Sequence, residues 1–282
     1  MKNFFRNNKV SAIINALLVF FLAICIVGSS MTALIRFTAF NPAFMTDSLN
    51  ESRYYADLCD EVKDELVYIG DASGLDREFF DEFVDELMVR EDVQSYVDAF
   101  YSGKKLEVDT SNFEKQLRSA IEAYEIGKGI NAEKVNQDSV DYFVKEAAKV
   151  YSGRIRVSYL SILQDRVRRN TPKYTILMLV LVAIAVGIIL LMLFTERWKH
   201  KAVRRIYYSF TAAGLVMLLI PIVVFASGLI DKINFVRLSA KEMYVTLLNT
   251  FFSDVLTIAV TLLVISAALC VTHLMLRKKA SQ

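Results

Sequence analysis

The chain has 282 residues, of which 54% are hydrophobic, and its mean hydropathy is +0.36. Those apolar residues stand in long, nearly charge-free blocks rather than short periodic patches, which excludes an ordinary water-soluble domain. The net charge of +2 conceals a strong asymmetry along the chain, and no nucleic-acid partner is expected.

Residues 1–9 are a short basic N-terminus carrying Lys2, Arg6 and Lys9, followed by an apolar block over 10–36. A helix needs about 20 apolar residues to cross the hydrocarbon, and only a helix satisfies its own backbone there. The basic start and the small residues Gly28, Ser29 and Ser30 also suit a cleavable signal peptide. Apolar character continues through Met31, Ala33, Leu34 and Ile35, longer than such a peptide needs. Cys25 follows the bulky Ile24, which fits a lipoprotein box poorly. The block is read as a retained anchor.

Residues 37–173 carry 27 acids and 18 bases. The charge is uneven: 47–98 hold 17 acids and 4 bases, whereas 99–173 hold 10 acids and 14 bases. The two halves should therefore attract one another, with the basic end meeting the membrane surface. Helical periodicity runs almost throughout. Ser48 with Glu51 has the pattern of a reciprocal N-terminal cap, ahead of a helix with Tyr55, Leu58, Val62, Leu66 and Ile69 on one face and its end at Gly70. Asp76 opens the next, with Phe79, Phe80, Phe83, Val84 and Leu87 inward. Val93, Tyr96, Val97, Phe100 and Tyr101 follow, closed by Gly103. Ser111 and Glu114 repeat the capping pattern before Phe113, Leu117, Ile121 and Tyr124, with Gly127 at the end. Val140, Phe143, Val144, Ala147 and Tyr151 mark a fifth helix ending at Gly153, and 155–169 a sixth that leads toward the second apolar block. The segment reads as a compact helical bundle with a Phe- and Tyr-rich core.

A second span is expected over 174–194, a basic loop over 195–205 and a third span, interrupted by Pro221, over 206–230. Residues 231–251 form a short loop and an interfacial helix opened by Ser239 and Glu242, with Met243, Tyr244, Leu247 and Leu248 as a platform for the large domain. The fourth span takes 252–276 and a tail 277–282. The fold class expected is an all-α integral membrane protein with four transmembrane helices and a helical domain inserted between the first two. Lys and Arg in the short segments number eleven on one side (three N-terminal, five in Arg197–Arg205, three in Arg277–Lys279) against three on the other (Lys232, Arg237, Lys241). Positive charge marks the cytoplasmic side, so both termini are placed there and 37–173 outside. Arg166, Arg168, Arg169 and Lys173 dissent, but they end a long translocated segment.

Chemistry is sparse. His200 and His273 are the only histidines, both on the expected cytoplasmic side, where they suit an interface better than a metal pair. Cys25, Cys59 and Cys270 leave no pair within the large domain, and an external domain without disulfides fits a bacterial surface. Asn50-Glu51-Ser52 is a glycosylation sequon that matters only in a eukaryotic secretory pathway. No catalytic residue and no cofactor is assigned. Asp57, Asp60, Glu61, Asp64 and Glu65 share a helix face, as do Asp81 and Asp85 on the next. Their spacing suits a loose calcium site, a solvated acidic face or a surface for a basic partner. The stretch 71–82 has the length of an EF-hand loop, but Gly74, Leu75 and Arg77 occupy the wrong positions. Asp254, with Asn249, Ser253 and Thr257 nearby, is the exceptional carboxylate of the fourth span; Asn15 is a polar residue of the first. Arg36, at the end of span one, is expected to pair with Asp254 across the bundle.

The order of one span, large outer domain, two spans, small outer loop and fourth span resembles the permease-like FtsX and MacB families in topology only, and no motif of theirs is present. That resemblance implies a cytoplasmic ATPase partner, with Trp198, Lys199, His200, Lys201, Arg204 and Arg205 as the coupling segment. The reading preferred from the residues is a non-enzymatic membrane protein, bounded by the lipid bilayer, whose outer domain binds a protein or envelope partner.

Overall fold

The computed structural model describes residues 8–128, 137–156, 158–196, 198–230, 232 and 237–280. Lys2, Arg6, Arg197 and the last two residues of the tail lie outside the described residues. Every regular element among the described residues is helical. The α-helices are α1 (Asn8–Phe37), α2 (Pro42–Glu51), α3 (Tyr54–Gly70), α4 (Arg77–Phe83), α5 (Glu86–Ser102), α6 (Ser111–Gly127), α7 (Gln137–Ile155), α8 (Ser158–Thr195), α9 (Lys199–Ser227) and α10 (Leu238–Ala280). They divide into two compact units: one of residues 1–40, 169–233 and 248–282, the other of 41–168 and 234–247.

Four helices are long and apolar enough to cross a membrane, over Ala12–Phe37, Arg169–Thr195, Lys199–Ser227 and Leu238–Lys279. Within their unit, Leu22, Ile26, Met192, Ala213, Met217, Val255 and Ala259 form the buried seam. Side chains such as Phe20, Phe21, Leu179, Leu219 and Val264 remain exposed on the helices, as expected for surfaces solvated by lipid. Small and hydroxyl residues join the helices. Ser209 Oγ donates to the Val19 carbonyl at 3.0 Å, and Thr211 Oγ1 lies 2.6 Å from Ser266 Oγ, which donates to the Tyr207 carbonyl at 3.1 Å. A Cβ on Gly214 would stand 2.9 Å from Leu263 and 3.3 Å from the Ala259 carbonyl, so α9 and α10 approach at a distance only glycine permits.

Helix ends differ from those expected, for a consistent reason. Hydropathy marks where apolar residues stop, whereas Lys, Arg, Glu and Gln continue a helix readily. The basic loop expected over 195–205 is shortened, because α9 begins at Lys199 and not at 206. The sixth domain helix and the second span are one helix, α8, which runs through Pro172, with Thr175 Oγ1 bonding back to the Thr171 carbonyl at 3.1 Å. Likewise the fourth span and the helix before it are the single α10.

The second unit is built on α3, α5, α6 and α7. Tyr55, Leu58, Val62, Leu66, Phe80, Val89, Val93, Leu117, Ala147, Tyr151 and Ile155 are almost wholly buried. Phe113 and Tyr151 stack at 4.2 Å, while Tyr151 donates its hydroxyl to Asp92 Oδ2 at 2.5 Å. Met243, at the start of α10, belongs to this same core. Its neighbours Tyr244 and Leu247 pack against it from the edge.

Capping separates the elements. Asn41 Oδ1 accepts from the Ala43 amide at 3.2 Å with Pro42 at the first helical position, opening α2. Ser48 and Glu51 therefore close that helix instead of opening α3. Asp76 caps α4 as the sequence indicates, accepting from the Phe79 amide at 3.1 Å. The helix expected to run on through Leu87 breaks at Val84, whose backbone is extended. Asp85 then caps α5 by accepting from the Met88 amide at 2.6 Å, and Leu87 turns outward, 61% exposed. Thr110, one residue ahead of the expected Ser111, stands at the cap of α6 and donates to Glu114 at 2.7 Å. Helix α7 passes Gly153 and ends at Ile155. Gly103 ends α5 with φ of +70°, a left-handed conformation that glycine adopts without strain. The Lys104 and Gly103 amides donate to the Ala99 and Phe100 carbonyls, and the Gln164 amide adds bonds to these and to the Lys104 carbonyl at 2.9–3.2 Å. Gly70 leaves room for Phe80, whose ring would lie 2.6 Å from any added Cβ.

Phe80→Ala should lower the stability of this unit by about 3–5 kcal/mol, the range for truncating a buried phenylalanine. Leu87→Ala should change it by less than about 0.5 kcal/mol, as for an exposed position. Denaturation of the two variants, followed by near-ultraviolet circular dichroism, checks the contrast; equal losses would place Leu87 in the core after all.

Candidate functional site

The acidic face of α3 does not stand free in water. Glu61 Oε1 accepts from the Ser239 backbone amide at 3.0 Å, so a residue distant in sequence satisfies a first-turn donor of α10. Ser239 is buried within that first turn, and its pairing with Glu242 is not the cap. Arg154, projecting from α7, lies between two acids one turn apart. It contacts Glu65 closely and reaches Glu61 Oε2 at 3.6 Å. Arg154 and Glu61 are both mostly buried, their side chains 18% and 19% exposed. Arg77 takes Asp64 at 2.6 Å and Asp81 at 3.6 Å, and Lys63 also reaches Asp81 at 3.6 Å. Asp85 is spent on the α5 cap. The acidic face expected at Asp57, Asp60, Glu61, Asp64, Glu65, Asp81 and Asp85 is thus largely neutralised within the fold, because burying part of it without counter-charges would be costly.

What remains is a cleft of about 590 Å³ lined by Asp57, Asp60, Glu61, Asp64, Arg154, Arg237 and Leu238. Helix α3 supplies its carboxylates at offsets of three, four and seven, which aligns them on one side. Asp57 is 9% exposed and enters no ion pair or hydrogen bond through its side chain. Burial pushes its carboxyl above the usual range, opposed by Arg53 and reinforced by Glu242, Asp60 and Glu61. Glu61 Oε2 is buried without a hydrogen-bond partner. The sequence reading missed Arg154 and Arg237; their signal was the excess of base in the later half of the domain, which shows neither which arginine nor where.

Elsewhere the expected residues part company. Arg36 and Asp254 form no ion pair. Arg36 Nε donates to Thr175 Oγ1 at 3.2 Å and another of its nitrogens to the Phe40 carbonyl at 3.4 Å. A guanidinium in the last turn of α1 finds oxygen acceptors there and complements the negative end of the helix. Asp254 lies half-buried on α10. Trp198 stands at the N-cap of α9, and Lys199, His200, Lys201, Arg204 and Arg205 occupy its first two turns, so they continue the span instead of forming a loop. Arg205 contacts Glu196 closely. His273 Nδ1 lies 2.7 Å from the His200 carbonyl, and the two rings are 6.0 Å apart. Among the described residues, no three His, Cys, Asp or Glu side chains gather closely enough to hold a metal ion.

An acid whose carboxyl is raised in the folded state stabilises the protein below the ordinary aspartate value, about 3.9, and that contribution is lost as pH climbs through the raised value. Asp57→Asn should therefore melt at a higher temperature than the wild type at pH 7. The gap should close as pH falls toward about 4. Melting temperatures measured across this range decide it, and a variant less stable at pH 7 would show that Asp57 has a stabilising partner.

Compared with known proteins, the chain matches no family model, no curated protein and no solved structure, so the reading of its function rests on its own geometry.

Proposed function

We propose that this chain is a multi-pass cell-membrane protein with both termini in the cytoplasm, whose helical domain is displayed outside and acts without catalysis by binding a partner. The observation that carries this reading is the open acidic cleft of the second unit. Its lining includes a buried carboxylate, Asp57, that no ion pair of the fold neutralises. A domain built only for stability gains from neutralising such a group, since removing an unpaired buried charge is favourable. Retaining it is reasonable where a partner supplies the counter-charge. The orientation is supported by the excess of Lys and Arg in the short segments at 1–9, 197–205 and 277–282. Four spans bring the chain into the bilayer, and the exposed apolar side chains along them match a lipid environment.

Cysteines introduced in a Cys270→Ser background, where the remaining Cys25 and Cys59 are buried, test the arrangement. Lys105→Cys, in an exposed turn, should react with a membrane-impermeant maleimide in intact cells. Lys279→Cys should react only after the membrane is opened. Labelling in the reverse order would invert the protein and place the cleft in the cytoplasm.

A further inference from the structure

We infer that the acidic cleft beside α3 binds a primary alkylammonium group, seated between Asp57 and Asp60. The inference rests on the proposed partner-binding role and names the chemistry recognised.

Asp57 and Asp60 line one side of the cleft. Asp57 is nine-tenths buried and its carboxylate has no partner. Glu61 is committed within the fold, one oxygen to the Ser239 amide and the other, Oε2, buried 3.6 Å from Arg154. Asp60 is exposed at the rim. An ammonium carries three donors and no acceptor, so two carboxylates and the water of an open cleft satisfy it while it neutralises the buried one. The neighbouring charges are already committed: Arg77 holds Asp64, and Arg154 holds Glu65 while approaching Glu61. Of the lining charges, four acids face two arginines, which leaves the cleft negative. A cation entering it would also relieve the burial that raises the Asp57 carboxyl.

Two features separate an ammonium from a metal ion. Calcium requires six or more oxygens at about 2.4 Å, and no three carboxylates among the described residues gather that closely. Leu238 forms an apolar wall, and a methylene stem covers such a surface while its charged head stays in polar surroundings. The same group is offered by a free polyamine and by a lysine side chain of a peptide.

The test uses the full chain in detergent micelles, with calorimetric titration in about 0.15 M salt so that general attraction to the acidic domain is screened. Spermidine and Nα-acetyl-lysine amide are the two probes, with the Nε-acetylated lysine derivative and calcium chloride as controls. Saturable binding of at least one amine is expected, with none of the acetylated compound. Spermidine alone binding assigns a polyamine, and the lysine derivative alone a peptide. Asp57→Asn should weaken binding about tenfold or more, the loss of one charge-assisted hydrogen bond. Glu122→Gln, an exposed acid on α6, should leave it unchanged. The melting curve of Asp57→Asn, expected at or above that of the wild type at pH 7, verifies that the variant is folded. No saturable binding by either amine, equal binding to Asp57→Asn, or tighter binding of calcium would overturn the inference. Absence of amine binding while Lys105→Cys is still labelled from outside would remove this inference alone; binding with Lys105→Cys labelled only from inside would instead remove the proposed orientation.

Discussion

Arg154 supplies the charge that allows α3 to pack with its carboxylates partly out of water. Like charges three and four positions apart on a helix repel by a few tenths of a kcal/mol per pair even when exposed. Partial burial makes the cost larger, because the interior screens charges poorly. A guanidinium is suited to this place, since it stays protonated and presents several donors in a fixed fork. From α7 it contacts Glu65 and approaches Glu61, and Glu61 in turn caps the first turn of α10. One charged group thereby connects three helices of the unit. Removing it would leave acids buried without compensation, a larger loss than the pair's own net contribution.

The same constraint explains why the acidic face is only partly available to a partner. Asp64, Asp81 and Asp85 answer local needs, two as ion-pair members and one as a cap. Asp57 and Asp60 remain, the first because burial has removed it from water without giving it an ion pair, Arg53 only partly offsetting the loss. Asp57 is the carboxylate on which the proposed binding role rests.

In the membrane unit the driving force is different. Lipid tails are as apolar as leucine, so burial of apolar area discriminates little between helix packing and lipid contact. Close approach and hydroxyl bonds do the selecting: Gly214 against Leu263, Ser209 to Val19, and Thr211 and Ser266 to each other. These residues are small or weakly polar and do not stand out in a hydropathy profile, which is why the sequence named Arg36 and Asp254 as the interhelical contact instead.

The number of apolar blocks, the helical character of the large domain and most of its buried faces were legible in the sequence. Tyr55, Leu58, Val62, Leu66, Val93, Val97, Phe113, Leu117, Phe143 and Tyr151 all occupy the positions their spacing indicates. Spacing of three and four residues is a property of the chain alone, so the helix reports its inner face directly. Helix ends were less legible, because the oxygen that accepts an orphan amide can come from a neighbour in sequence, as at Asp76, or from a distant helix, as Glu61 does for Ser239. Charge pairing depended wholly on tertiary structure. The balance of acid and base showed that α3 needed cations, but only the fold brought Arg154 and Arg237 to it and left Asp57 outside any ion pair. Electrostatic attraction acts through distance in space, and distance along the chain says almost nothing about it.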